Sequence, residues 1–183
     1  MRVPARQECL RMLEAVAMPL HIQNHSRMVC RVALFLCDGL AGSGVSVNRD
    51  LVRAAALLHD ITKPRSFETG ENHARTGGEY LTRLGFPEVG EIVRQHVILD
   101  RYFAGRLPSE AELVNYSDKR VLHDSIVSLN TRMDYIVKRY ATTASLQRRA
   151  RQVWRDSLAL EKRIFSYLPI EPEQLAENLA AGD

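Results

Sequence analysis

Apolar residues recur every three to four positions along most of the chain, which is the spacing of amphipathic helices. Leu10, Leu13 and Ala17 mark a first helix over 5–17, broken at Met18-Pro19. A second, over about 20–41, carries the stripe Ile22, Val29, Val32, Ala33, Leu36 and Leu40, and Gly42-Ser43-Gly44 ends it. Asn48 is placed to cap a third over 49–61, which runs through Ala54-Ala55-Ala56-Leu57-Leu58 and is stopped by Pro64. Further helices are predicted near 71–84, 87–97, 109–120, 123–140, 143–167 and 171–181, punctuated by Gly70, Gly85, Pro87, Gly105, Pro108 and Pro169. No internal repeat, low-complexity tract or pair of alternating strands with a hairpin signal breaks the pattern. The expected fold is an all-α single domain.

Composition agrees with that picture. The chain has 183 residues, 45% hydrophobic and 26% charged, an ordinary globular mix and long enough to bury a core without a disulfide or metal staple. Cys9, Cys30 and Cys37 form no CxxC, so neither a zinc knuckle nor a thioredoxin-like motif is signalled. The opening MRVPARQECLRML is charged and helical rather than an apolar leader, and no aliphatic run approaches the roughly 20 residues of a membrane span. A soluble cytoplasmic protein with reduced thiols is expected.

Net charge is +3, yet nine basic and only three acidic residues fall between Arg132 and Arg163. Such a stretch can attract phosphates or nucleic acid. With no recognition motif and no interleaved aromatics, a solvated helix face is the preferred reading, and nucleic acid is not an expected partner.

The chemistry sits in the histidines. His59-Asp60 closes an apolar helix, and a buried carboxylate there needs a partner. Neighbouring helical residues lie about 100° apart, so both side chains can face one cleft. His25, His73, His96 and Asp118 fall on four other predicted helices. Helical bundles build metal sites in this way, from single ligands on facing helices. Imidazole and carboxylate together suit Fe, Mn, Zn, Co or Ni, with Mg at a carboxylate-rich position.

That ordered set resembles the HD-domain superfamily of metal-dependent phosphohydrolases. The matching segments are His25 in HSRMV, His59-Asp60 in LLHDITK, His73 in NHARTGGEYL, His96 in IVRQHV and Asp118 in NYSDKRV. The look-alikes are short bacterial HD modules. The ligand order is also similar to that of the HD-type symmetrical dinucleoside-tetraphosphate hydrolases. Thr62 departs from the glycine of the common HDIGK form, and the 13-residue interval from Asp60 to His73 is shorter than in the dinucleoside enzymes.

The resemblance implies a helical bundle of the HD type over 1–140, with 141–183 as a helical extension packed on the same core. It implies a phosphoester or phosphoanhydride substrate, a nucleotide or another small phosphorylated molecule, cleaved by metal-activated water. The alternative is a non-catalytic metal- or nucleotide-binding regulatory module. His25, His59, Asp60 and Asp118 would hold one divalent metal, and His73 and His96 a second, bridged by Asp60.

Asp60 and Lys63 are the expected catalytic residues. Lys63, one turn past His59, is the first candidate for substrate phosphates, a solvated lysine at a helix end being the other reading. Arg27, Lys119 and His21 follow as further substrate-binding candidates. His123 reads as structural, and Asp100 as a surface acid or a partner for His96. Apolar positions after 140 allow either a capped core or a homodimer surface.

Overall fold

The computed structural model describes residues 2–103 and 105–181. It opens with α1 (Arg6–Ala15), α2 (Leu20–Gly42), α3 (Arg49–Leu58), α4 (Lys63–Thr69), α5 (His73–Arg83), α6 (Pro87–Arg94) and α7 (Glu110–Lys119). A two-residue hairpin follows, β1 (Val121–Leu122) and β2 (Ser125–Ile126), and then α8 (Leu129–Tyr140) and α9 (Ala144–Phe165). A 3₁₀ turn over Pro172–Gln174 leads into α10 (Leu175–Ala181). The fold is all-α. Among the described residues no helix is long and apolar enough to cross a membrane.

α2 is the central rod. Val29, Val32, Ala33, Leu36 and Leu40 are buried along it, facing α3 and α7. Asn48 caps α3 as its side chain accepts the Leu51 N–H, and Asn72 caps α5 by accepting from Arg75. α5 and α6 cross at Gly78 and Gly90. A Cβ at Gly78 would lie 2.6 Å from the Gly90 carbonyl oxygen, and one at Gly90 2.5 Å from the Gly78 oxygen. Only paired glycines permit that approach.

Two expectations need correction. Pro64 does not merely stop a helix over 49–61. α3 ends at Leu58, two tight turns follow (Ile61 N–H to Leu58 O and Lys63 N–H to Asp60 O), and Pro64 sits in the first turn of α4. A proline there gives up an N–H that has no helical partner anyway, so the same residue reads as a stop or a start. The helix over 123–140 begins only at Leu129, because residues 121–126 form the hairpin. Strands of two residues carry no alternation for the sequence to display.

The C-terminal helices share the core of the others: Leu160, Ile164, Phe165 and Leu175 are buried in one apolar cluster with residues of α2, α3 and α7. A polar staple joins them to α7. Arg120 donates to Glu161 Oε2 of α9 at 3.0 Å, to Pro172 O at 2.9 Å and to Val127 O at 2.7 Å. The Tyr116 hydroxyl donates to the same Glu161 oxygen at 2.6 Å.

Candidate metal centre

Six side chains from five segments converge. His25 projects from the second turn of α2, His59 and Asp60 from the turn after α3, and His73 from the first position of α5. His96 lies just past α6 and Asp118 in the last turn of α7. The C-terminal ends of α3, α6 and α7 thus point at one spot, and their partial negative charge favours cations there.

Three of the rings are held the same way. His59 Nδ1–H donates to Ala56 O at 2.8 Å, and His96 Nδ1–H to Val93 O at 2.7 Å. Each uses a carbonyl three residues back, one of the open acceptors at a helix end. His25 Nδ1–H donates to His123 O, in the hairpin turn, at 2.7 Å. Carbonyl oxygens only accept, so each Nδ1 carries the proton and each Nε2 faces the cluster.

The Nε2 atoms meet carboxylates. His25 Nε2 lies 3.0 Å from Asp118 Oδ1, and His59 Nε2 3.4 Å from Asp60 Oδ2 and 3.7 Å from Asp118 Oδ1. Asp60 Oδ1 lies 3.3 Å from His73 Nε2 and 3.6 Å from His96 Nε2. Asp60 therefore turns one oxygen to each half of the cluster. A neutral Nε2 against a carboxylate sets lone pair on lone pair, which calls for a shared positive charge, a proton or a divalent cation. Donors about 2.1 Å from one cation stand about 3.0–3.4 Å apart in octahedral or tetrahedral order. The observed spacings begin in that range.

Burial sharpens the point. His59 and Asp60 are 0% and 1% exposed, and among the described residues His59 Nε2 and Asp60 Oδ1 have no hydrogen-bond partner. Burial works to raise the Asp60 carboxyl, but His59, His73 and His96 hold it well below the usual carboxylate range. Burial likewise opposes ionisation of Asp118, and His25, Arg132 and His59 overcome it. His59 is held above the ordinary histidine value: burial lowers it, and Asp60 and Asp118 more than offset that. His96 is pushed down by burial despite Asp60. Two compact donor groups result, His25/His59/Asp118 and His59/Asp60/His96, and His73 joins through Asp60. These donors fit metal ions.

A family model for the HD domain matches residues 22–121. This chain belongs to the HD domain family. A protein of Methanocaldococcus jannaschii described as uncharacterised is 33% identical to this HD domain chain over 78 residues, 42% of this chain and 45% of the archaeal one. The chain thus spans less than half the length of that relative. A crystal structure of a predicted HD superfamily hydrolase from an uncultured Thermotogales bacterium aligns over 90% of this chain and 94% of that one, at 21% identity and TM-score 0.49.

Around the candidate ligands of this HD domain lies a supporting layer. Asn115 of α7 donates to the carbonyls of Gln95 and His96, both at 3.0 Å, and so pins the turn that presents His96. Thr62, the departure from the HDIGK form, donates to His73 O at 2.9 Å and anchors the start of α5. His123 adopts φ +57°, and what it offers His25 is its backbone oxygen. Glycine keeps that oxygen and removes the strain. His123→Gly is therefore expected to leave metal content unchanged and stability equal or higher, measured by elemental analysis and thermal melting.

The substrate-binding candidates divide. Lys63 is at the cluster, its Nζ 2.7 Å from Asp60 Oδ2 and its side chain 29% exposed. Lys119 is not available to a substrate. It is 3% exposed, its ammonium donates to Asn115 Oδ1 at 2.7 Å and to carbonyls of Asn115, His96 and Val97, and burial pushes it down to about 8. Its place is beneath His96.

Arg27 is exposed and bonds Gln23 on its own helix. Two residues past His25 it stands about 200° round the helix, away from the cluster. His21 is exposed one turn before His25 and, among the described residues, makes no hydrogen bond, ion pair or ring contact with the cluster. Asp100 pairs with Arg94 at 2.9 Å rather than with His96. A cation that sequence reading counted only within the basic stretch does reach the site: Arg132 Nη2 lies 3.9 Å from Asp118 Oδ1. It arrives because the hairpin turns α8 back against α7.

Proposed function

We propose that this HD domain protein is a metal-dependent phosphohydrolase acting on a small phosphorylated molecule, with nucleotides the leading class. The supporting observation is the set of three Nδ1-tethered imidazoles facing the buried Asp60 and the half-buried Asp118, with His59 Nε2 and Asp60 Oδ1 lacking a hydrogen-bond partner among the described residues. His25, His59, Asp60 and Asp118 would hold one divalent ion, and Asp60, His73 and His96 a second. When bound, such ions would supply an activated water and charge stabilisation for in-line displacement at phosphorus. The ligand set of nitrogen and oxygen suits Fe, Mn, Zn, Co, Ni or Mg.

The chain's own groups do the rest. Asp60, with an oxygen to each half, fixes the spacing of the two halves. The carbonyls of Ala56, Val93 and His123 hold the imidazoles in one tautomer, so no ring must reorient on binding. Lys63 stands at the partly open side beside Asp60, within reach of an incoming phosphate. Burial of Asp60, His59 and His96 keeps bulk water from the donors.

The test is metal analysis followed by turnover, on protein purified without chelator or nickel. Expected are close to two metals per chain, falling to about one in His73→Ala. Metal-dependent, chelator-sensitive hydrolysis should appear in a panel of nucleotides, dinucleoside polyphosphates, cyclic phosphates and phosphomonoesters under Mn or Fe. Metal bound without turnover of any panel member would leave a non-catalytic metal-binding module. No metal taken up on soaking sinks both readings.

A further inference from the structure

Arg132 differs from Arg49 and Arg120. Arg49 docks on Asp38 at 2.7 and 3.0 Å, and Arg120 on Glu161 at 3.0 Å, the distances of charge-assisted hydrogen bonds. Arg132 stops 3.9 Å short of Asp118, beyond hydrogen-bond range. Among the described residues its guanidinium makes no hydrogen bond, and its Nε is buried without an acceptor. Its side chain is only 14% exposed, and the Tyr135 ring lies 5.8 Å from its Cζ. Here is a desolvated, pre-positioned cation with its donors unspent.

Charge balance says what they are for. Asp60 and Asp118 are already matched by Lys63 and Arg132, one cation beside each carboxylate. Every divalent ion added to neutral imidazoles and these four groups leaves the site net positive. Only an anionic ligand neutralises it, and a planar guanidinium suits the paired oxygens of a tetrahedral oxyanion.

We infer that Arg132 binds a non-bridging oxygen of the substrate's phosphoryl group on the Asp118 side, opposite Lys63 on the Asp60 side. The inference rests on the phosphohydrolase reading and adds a residue to it. Arg132 lies in α8, beyond the 22–121 segment that matches the HD domain, so this phosphate contact comes from the part of the chain that follows the matched region.

The experiment titrates inorganic phosphate into the Mn-loaded full chain by calorimetry and measures metal content in parallel, for wild type, Arg132→Ala, Arg132→Gln and Arg132→Lys. Phosphate binding should weaken at least about tenfold in the Ala and Gln variants, with metal content unchanged and partial retention in the Lys variant. On any substrate turned over, kcat/KM should fall about 10²-fold, the scale of losing one preorganised donor, and methylguanidinium should restore part of it to Arg132→Ala.

Phosphate affinity within twofold of wild type in the Ala and Gln variants overturns the inference and leaves the phosphohydrolase reading standing. Loss of metal in the variants also overturns it, making Arg132 a holder of Asp118. Wild type that neither binds phosphate nor turns over the panel removes the phosphohydrolase reading and this contact with it.

Discussion

Asp60→Asn should cost the protein more than about 100-fold in metal affinity. Groups that merely orient metal ligands are worth about 10–100-fold, and Asp60 is placed to be a ligand on both sides. Asparagine keeps its shape but must turn a nitrogen either towards His73 and His96 or towards His59 and Lys63. One half of the cluster is lost in either case. The readout is thermal: at free metal about 100 times the Kd, wild type gains about 2.7 kcal/mol, or roughly 5–10 °C for a chain of this length. The variant should show almost no such shift.

Acidification separates the same two contributions. Metal binding needs a free Nε2 on His59, whose imidazole Asp60 and Asp118 hold above the ordinary histidine value, so metal should leave as that ring takes up its proton on acidification. Asp60 and Asp118 are held low in the folded state, so their stabilisation is present above the ordinary carboxylate value near about 3.9 and disappears only as pH drops through their folded values. The fold should therefore outlast the metal on the way down.

Glu161→Ala should be the most damaging change far from the metal ligands. Arg120 is 5% exposed at its side chain, and Glu161 is its only acidic partner among the described residues. Removing one member of a buried pair costs about 3–5 kcal/mol, because the other charge is left uncompensated. At about 2–4 °C per kcal/mol the melting midpoint falls by roughly 10 °C. Metal affinity should fall too, since Arg120 follows Asp118 by two residues and the staple fixes the end of α7. Glu161→Gln keeps an acceptor for both Arg120 and the Tyr116 hydroxyl and should recover part of the loss. Melting curves and metal titration of the two variants provide the check.

What the sequence disclosed, and what it hid, divides by physical cause. Helix positions were legible because an apolar stripe of period 3.6 has one interpretation over ten or more residues, as in α2. His59-Asp60 was legible as a polar pair closing an apolar helix, and His25, His73, His96 and Asp118 through an order and local contexts that resemble the HD pattern. Lys119 misled because adjacency to Asp118 in sequence is about 100° of rotation on a helix, enough to send its ammonium beneath His96. Arg132 was invisible because nothing at position 132 announces that a two-residue hairpin will fold α8 back onto Asp118. The His25 orienter could not be found by residue type at all, since it is a backbone oxygen.

The location of the candidate ligands at helix ends has a consequence for motion. His59 and Asp60 follow the last residue of α3, His96 lies just past α6, and Asp118 sits in the last turn of α7. Helix ends are where backbone hydrogen bonds open most cheaply, each end on its own. A cation held jointly by those side chains would end that independence. Fraying of one end would then break coordination shared with the others, so three otherwise separate openings would become a single rarer event, and occupancy of the centre would set how often the middle of the domain breathes.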